Sequence, residues 1–152
     1  MQPLIEIRRA IPADAGVITV FNIEIAEETE GKTLDAMTVA AGVRSLMERS
    51  EYGFYVVAEQ QGEVVGSLLI TFEWSDWRNG VIWWIQSVYV HPDYRRQGIF
   101  RQLYDQVQTW ARQEKGVCGL RLYVEEANHT AQATYRTLGM EPAGYQVFEA
   151  LF

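Results

Sequence analysis

Val88 to Arg101 reads V-Y-V-H-P-D-Y-R-R-Q-G-I-F-R, a run of residue types suited to holding phosphate. A β-branched and aromatic strand runs into His91-Pro92. A basic turn with one glycine follows, and an amphipathic helix opens at Ile99. The first N–H groups of a helix have no intrahelical partner, and the helix dipole places partial positive charge there. Arg95, Arg96 and Arg101 add full charges. Two readings stay open on these residues alone: a phosphate cradle or a solvated basic turn. A second ordered block runs from Asn128 through Ala131, Tyr135 and Gly139 to Met140. Two further segments are chemically distinctive. Glu27, Glu28 and Glu30 crowd a helix end with Asp35 just beyond. Glu73-Trp74-Ser-Asp-Trp77, followed by Trp83-Trp84, sets carboxylates beside indole faces, which suits a cation. The acidic segment also reads as a solvated turn. The indoles also read as core or as a dimer contact, which leaves a homodimer open.

The spelling of both blocks resembles the GNAT superfamily of N-acetyltransferases. Arg95-Arg96-Gln97-Gly98-Ile99-Phe100 is similar to the family's Q/R-x-x-G-x-G/A pyrophosphate loop. It departs from that pattern at Phe100, where Gly or Ala is usual. Asn128 to Met140 is similar to N-x-x-A-x-x-x-Y-x-x-x-G-F/M, 30 residues after Gly98. The resemblance spans nearly the whole chain. It implies an α/β (α+β) fold with one twisted, mixed, mostly antiparallel sheet. Helices flank that sheet, and it splays at an acetyl-CoA cleft. It also implies acetyl-CoA as cosubstrate and no metal.

Acetyl transfer to an amine needs a grip on the donor, polarisation of its thioester, a neutral amine and a proton for the leaving thiolate. By resemblance, Gln97 to Arg101 grip the pyrophosphate, with Arg95 and Arg96 beside them. Val88, Tyr89 and Val90 pair with the pantetheine arm and orient the thioester. Asn128 lies near the pantetheine amide, and is also a plain helix cap. Tyr135 stands where the family places its general acid. Many members carry a glutamate base on the strand before the loop. This chain has Gln86, which cannot take a proton at neutral pH but can position water or the amine. The alternative carboxylates are Glu73 on the preceding strand and Glu27, Glu28 or Glu30 near the first helix end. An amine of pKa near 10.4 requires roughly 4 kcal/mol to be neutral at pH 7.5, so help is expected. Glu27, Glu28, Glu30, Trp74, Trp77 and Trp84 are the expected acceptor-side residues.

Composition is consistent with this. The chain has 152 residues, 48% apolar and 22% charged, with a net charge of −7. That length suits a single domain over 1–152 with a sizeable core. The negative charge argues against nucleic-acid binding. No stretch has the length of a membrane span, and Met1-Gln-Pro-Leu-Ile-Glu lacks the character of a signal peptide. One cysteine fits a reducing compartment, so a cytoplasmic protein is expected. The expected activity is acetylation of a primary amine on a small or amino-acid-like acceptor by direct attack. The alternatives are protein or peptide N-acetylation, and a non-catalytic acyl-CoA-binding module. A nucleotide enzyme is remote, since neither G-x-x-x-x-G-K-[ST] nor G-x-G-x-x-G is present.

The elements that must position these residues follow from periodicity. Strands are predicted over Leu4–Arg8, Phe54–Gln60, Glu63–Trp74, Val81–Val90, Cys118–Glu125 and within Ala143–Phe152. Helices are predicted from Pro12 to about Glu28, over Asp35–Glu48, from Ile99 to near Gly116, and over Thr130–Leu138. The Gln61-Gly62 pair is a hairpin turn.

Overall fold

A computed structural model describes residues 3–152. The chain divides into two compact units, one up to Leu122 and one from Tyr123 onward. Among the described residues, no helix is long and apolar enough to cross a membrane.

The first unit is built on a five-stranded sheet in the order β1-β2-β3-β4-β5. The strands are β1 (Ile5–Arg9), β2 (Gly53–Gln60), β3 (Glu63–Ser75), β4 (Gly80–Val90) and β5 (Val117–Leu122). The first four pair antiparallel, and β5 joins β4 in parallel. A parallel partner needs a crossover. Helix α3 (Ile99–Gln113) supplies it. Between β1 and β2 lie α1 (Ala15–Glu30) and α2 (Ala36–Met47). The mixed, open, mostly antiparallel sheet is the expected architecture.

Strand alternation sorts the core into two layers. Tyr55 and Val57 on β2 face α1 and α2, where they meet Ala15, Ile18 and Val43. Phe54 points the other way. Its ring meets Phe72 and Trp83 at 6.2 and 5.2 Å between centroids. Arg9 lies 3.9 Å above Phe54 and 5.7 Å from the Trp110 ring of α3, which ties that helix to this second face. Ile99, Leu103, Val107 and Ala111 recur at four-residue steps along α3, and all are buried. Burial of each of the three larger side chains, Ile99, Leu103 and Val107, contributes about 1.5–3 kcal/mol. Helix α2 begins where the Asp35 carboxylate accepts the Thr38 N–H at 2.9 Å, an N-cap.

The turn into α1 is held by charge. Arg8 donates to both oxygens of Asp14, at 2.8 and 3.1 Å, and to Glu59 at 3.1 Å. Asp14 is buried and also accepts the Ile11 N–H at 2.8 Å. Burial opposes its charge, but the Arg8 and Ile11 hydrogen bonds outweigh burial and hold the carboxyl below its ordinary value. A group with a lowered folded pKa stabilises the fold above its unfolded pKa, and that gain is lost as pH falls through the folded value. Asp14→Asn is therefore expected to cost roughly 2–3 kcal/mol at pH 7. In urea titrations the gap between variant and wild type should close as pH drops below 3.8. A constant gap across that range would remove Asp14 from the acid sensitivity of the fold.

The second unit holds α4 (His129–Thr137). Two expectations are corrected here. The strand predicted to reach Glu125 stops at Leu122, because Glu125 and Glu126 give their carbonyls to the Gln132 side chain, at 3.1 and 2.9 Å, in a turn ahead of α4. The strands predicted within Ala143–Phe152 are not formed: no residue of that segment lies in a strand. Its residues have strand propensity, but propensity without a partner edge makes no sheet.

Candidate active site

Strand β4 carries one residue more than its neighbour allows. Ser67 pairs with Tyr89 and Leu69 with Gln86, so Leu68 stands opposite both Ser87 and Val88. This is a β-bulge. Ser87 takes up the extra length at φ +51°, a conformation that costs a non-glycine residue of order 1–3 kcal/mol. Strain of that size persists only where surrounding structure holds it, and it concentrates at functional sites. The bulge re-aims the three residues that follow, Val88, Tyr89 and Val90. Among the described residues, no β5 residue pairs with them. Strand β4 last pairs with β5 at Ile85 and Leu122, then continues through Gln86–Val90. A backbone edge is thus presented where an extended ligand can pair as a strand does.

The chain then passes through a short 3₁₀ turn, Pro92–Tyr94, into the loop. The His91 amide donates to Val65 O at 2.8 Å, which anchors the turn to β3. Arg96 at φ +62° and Gly98 at φ +76° both adopt left-handed backbone conformations. Gly98 is the N-cap of α3 and contributes no side chain to cap it. The start of α3 therefore has no side-chain cap, and it is at such a helix start that backbone N–H groups meet a ligand or water. The space where a Gly98 side chain would begin is open. Phe100 does not fill the loop; its ring lies along α3 beside Tyr104, 6.4 Å away.

The three arginines divide. Arg101 pairs with Asp105 one turn along α3, at 3.7 Å. Arg95 turns back: its Nε donates to Val90 O at 2.7 Å, and its guanidinium reaches Glu28 of α1 at 2.9 Å. It also stands 5.4 Å from the Tyr89 ring. Arg96 sits exposed at the left-handed turn.

Glu24 was not singled out by sequence reasoning. Tyr89 is buried, its ring 4.7 Å from Phe21, and its hydroxyl donates to the Glu24 carboxylate. Burial, then that carboxylate, pushes the Tyr89 phenol well above its ordinary value. Phe21, Glu24 and Glu28 fall at i, i+3 and i+7, one stripe of α1. That spacing was the available signal. The stripe binds the end of β4 and the start of the loop to α1. Of the acidic segment, Glu28 therefore meets the loop, Glu30 pairs with Lys32 at 3.5 Å, and Glu27 is exposed.

A second polar group lies further up the sheet. Glu73 accepts from the Trp84 indole at 2.7 Å and from Arg121 of β5 at 3.1 and 2.9 Å. The Trp84 hydrogen bond first, then Arg121 and the charge of Arg78, outweigh burial and hold the Glu73 carboxyl below its ordinary value. Gln86 donates to the Thr71 hydroxyl at 2.7 Å. Thr71 pairs with Trp84 and Leu69 with Gln86, so Thr71, Glu73, Trp84 and Gln86 share one face. Trp74 alternates to the opposite face and does not join them. Trp77 is exposed in the β3–β4 turn, and Trp83 is buried against Phe54. The indole-rich segment thus serves three separate places.

In the second unit, Asn128 caps α4 by accepting the Ala131 N–H at 3.1 Å. Tyr135 lies on α4, half-buried, and burial pushes its phenol above the ordinary value.

A bulged strand with an open edge, leading into a left-handed glycine turn at a helix start, invites comparison with known proteins. The family model described as the acetyltransferase (GNAT) family matches residues 18–140. This chain belongs to the GNAT family. A solved structure from Clostridium difficile 630, described as a possible acetyltransferase, is 43% identical; the match covers 98% of each chain with a TM-score of 0.92. A thialysine N-epsilon-acetyltransferase of Bos taurus is 38% identical over 84 residues, 55% of this chain. The match spans 48% of that relative's length. AAC(6')-Iy in complex with the bisubstrate analogue CoA-S-monomethyl-acetylneamine is 16% identical over 98% of this chain and 99% of that one. Its TM-score of 0.77 shows a shared fold.

Proposed function

We propose that this GNAT protein transfers the acetyl group of acetyl-CoA to a primary amine on a small, amino-acid-like acceptor. The bulged β4 running into the Gly98 turn carries the proposal. The residues present fit the cosubstrate. Gln86–Val90 lies beyond the last β4–β5 pair and offers a backbone edge for the pantetheine arm, and Gln97 to Arg101 offer the backbone N–H groups of a helix start for the pyrophosphate. A CoA-containing analogue on a neighbour of the same fold supports that choice of donor. Acetyl-CoA supplies an activated thioester; binding, orientation and proton handling fall to the chain.

Each assigned residue then has a task. Arg96 and the amides from Gln97 onward bind the pyrophosphate. Val88 to Val90 orient the thioester carbonyl. Asn128 fixes the start of α4, and Tyr135 on that helix donates a proton to the departing thiolate. Glu73 is a weak proton acceptor, because its partners already stabilise its charge. It suits the binding of a cationic acceptor better than deprotonation. Gln86, oriented by Thr71, positions a water that carries the amine proton away. The acidic Glu73 beside Arg121 also matches an acceptor bearing both an ammonium and a carboxylate group. The name of the bovine relative points the same way. Glu27, Glu30, Trp74 and Trp77 stand further out and act in acceptor choice only if they border its path of entry. A panel of primary amines assayed for acetyl-CoA-dependent thiol release tests the proposal. Turnover of amino-acid-like amines is the expected result. Transfer confined to peptides would move the acceptor class to protein or peptide N-acetylation.

Arg95 has a role distinct from that of Arg96. Its bonds to Glu28 and Val90 O make it a strut that holds the loop to α1. Arg95→Gln and Glu28→Gln should each weaken acetyl-CoA binding about two- to fivefold, as exposed ion pairs do. Calorimetry on the double variant should show no greater loss than the worse single variant. If Arg95 bound phosphate directly, Glu28→Gln would leave affinity unchanged or improve it.

A further inference from the structure

The extra residue in β4 needs something to hold it. Up to Gln86 the strand pairs with β3 in one register, with Gln86 opposite Leu69. Beyond the bulge it pairs in another, with Tyr89 opposite Ser67 and Val90 opposite Gly66. Ser87 at φ +51° carries the strain of the change. Release of the extra residue would relieve that strain and shift Val88 to Val90 by one position along β3. A one-residue shift turns each side chain to the other face of a sheet. Without the bulge, Tyr89 would alternate away from the face that Gln86 occupies. Backbone ladder bonds do not select between the two registers, since any residue can make them. Side-chain contacts do, because they exist in one register only.

Strand β3 offers little of that kind. The Ser67 hydroxyl, opposite Tyr89, is buried and has no hydrogen-bond partner among the described residues. At Gly66 a Cβ would meet Tyr89 O at 3.1 Å, so this position admits β4 closely without gripping it. The grip comes from α1. The Tyr89 ring packs on Phe21, 4.7 Å between centroids, and its hydroxyl donates to the Glu24 carboxylate. A ring contact tolerates sliding. A hydrogen bond is directional, and one to a charged acceptor belongs to the strong class. Glu28, one turn further along α1, has the separate task of holding Arg95 of the loop.

We infer, on the basis of the acetyl-transfer reading, that Glu24 is a positioning residue: through the Tyr89 hydroxyl it locks the bulged register of β4 and so sets where Val88 to Val90 hold the thioester. Two carboxylates four residues apart on α1 then have different consequences. Glu28 governs the hold on the pyrophosphate, and hence affinity. Glu24 governs placement of the thioester, and hence rate, because displacing a reacting group by about 1 Å can cost roughly 10²-fold.

Steady-state kinetics with acetyl-CoA test the assignment. The acceptor is L-lysine, or whichever primary amine of the panel above wild type acetylates fastest. Rates are taken per folded protein, below the melting midpoint of each variant. Glu24→Ala is expected to lower kcat about 10- to 100-fold while KM for acetyl-CoA stays within about threefold of wild type. Tyr89→Phe should fall by the same factor, and the double variant no further, since both remove one interaction. Glu24→Gln keeps an oxygen that accepts the phenol proton, and its kcat should recover to within about threefold of wild type. Glu28→Gln should instead show its loss in affinity for acetyl-CoA. A lowered melting temperature with unchanged kcat in Glu24→Ala would make Glu24 a structural residue and overturn the inference. So would a raised KM with kcat kept, or a double variant whose loss is the product of the two single losses. Failure of wild type to acetylate any amine of the panel would overturn the acetyl-transfer reading itself, and the role of Glu24 with it.

Discussion

Gly98→Glu is expected to abolish measurable acetyl-CoA binding while the fold survives. Gly98 stands at φ +76°, and nothing lies within 4 Å of where its Cβ would sit. The substitution therefore meets no clash. It does force a non-glycine residue into the left-handed region, at roughly 1–2 kcal/mol, which a domain of this size absorbs. A glutamate here also places its carboxylate by the start of α3, where its charge suits the helix dipole. The pyrophosphate meets the opposite situation. The added carboxylate occupies the open space at the cradle and repels phosphate charge. Two hydrogen bonds to a charged group, at about 1.5–3 kcal/mol each, correspond to a loss of at least 100-fold in affinity. Gly98→Ala pays the same backbone strain without the charge and should lose far less. Calorimetry on both variants separates strain from repulsion. Equal affinity of Gly98→Glu and wild type would remove the loop from the cofactor site.

Tyr135→Phe is expected to lower kcat by roughly 10²-fold, the ordinary size of a general-acid contribution. Burial holds the Tyr135 phenol above its ordinary value. It therefore stays protonated throughout the neutral range, as a proton donor must. The substitution removes one oxygen and keeps the ring, so acetyl-CoA affinity should change by no more than about 1 kcal/mol. Thermal stability should hold. A fall in stability with parallel losses in binding and rate would make Tyr135 a packing residue. Full activity would assign protonation of the thiolate to water or another group.

The sheet and its helices were legible because several periods are clean: alternation along Leu4–Arg8, four-residue steps from Ile99 to Ala111, and a proline at the turn ahead of α1. The loop was legible for a related reason, since a lone glycine between a strand and an amphipathic helix leaves few backbone solutions. The bulge at Ser87 was not. Nothing in Ile-Gln-Ser-Val announces an extra residue, because a bulge is a mismatch with the neighbouring strand and not a local preference. Tertiary pairing also hid the division among charges. Arg95 and Arg101 look alike in sequence, yet one reaches back to α1 and the other along α3. Glu73 looked like a free base until Trp84 and Arg121, 11 and 48 residues away, were found on it. The segment after Gly144 was misread in isolation, because strand-forming residues need an edge to pair with.

The central claim is that this chain moves an acetyl group from acetyl-CoA to an amine through the β4–loop–α3 site. Mass spectrometry of the acceptor after incubation with acetyl-CoA tests it most directly, run in parallel with wild type and Gly98→Glu. The account predicts an N-acetylated amino-acid-like amine with wild type and none with the variant. An acetylated product formed equally by both proteins would contradict it.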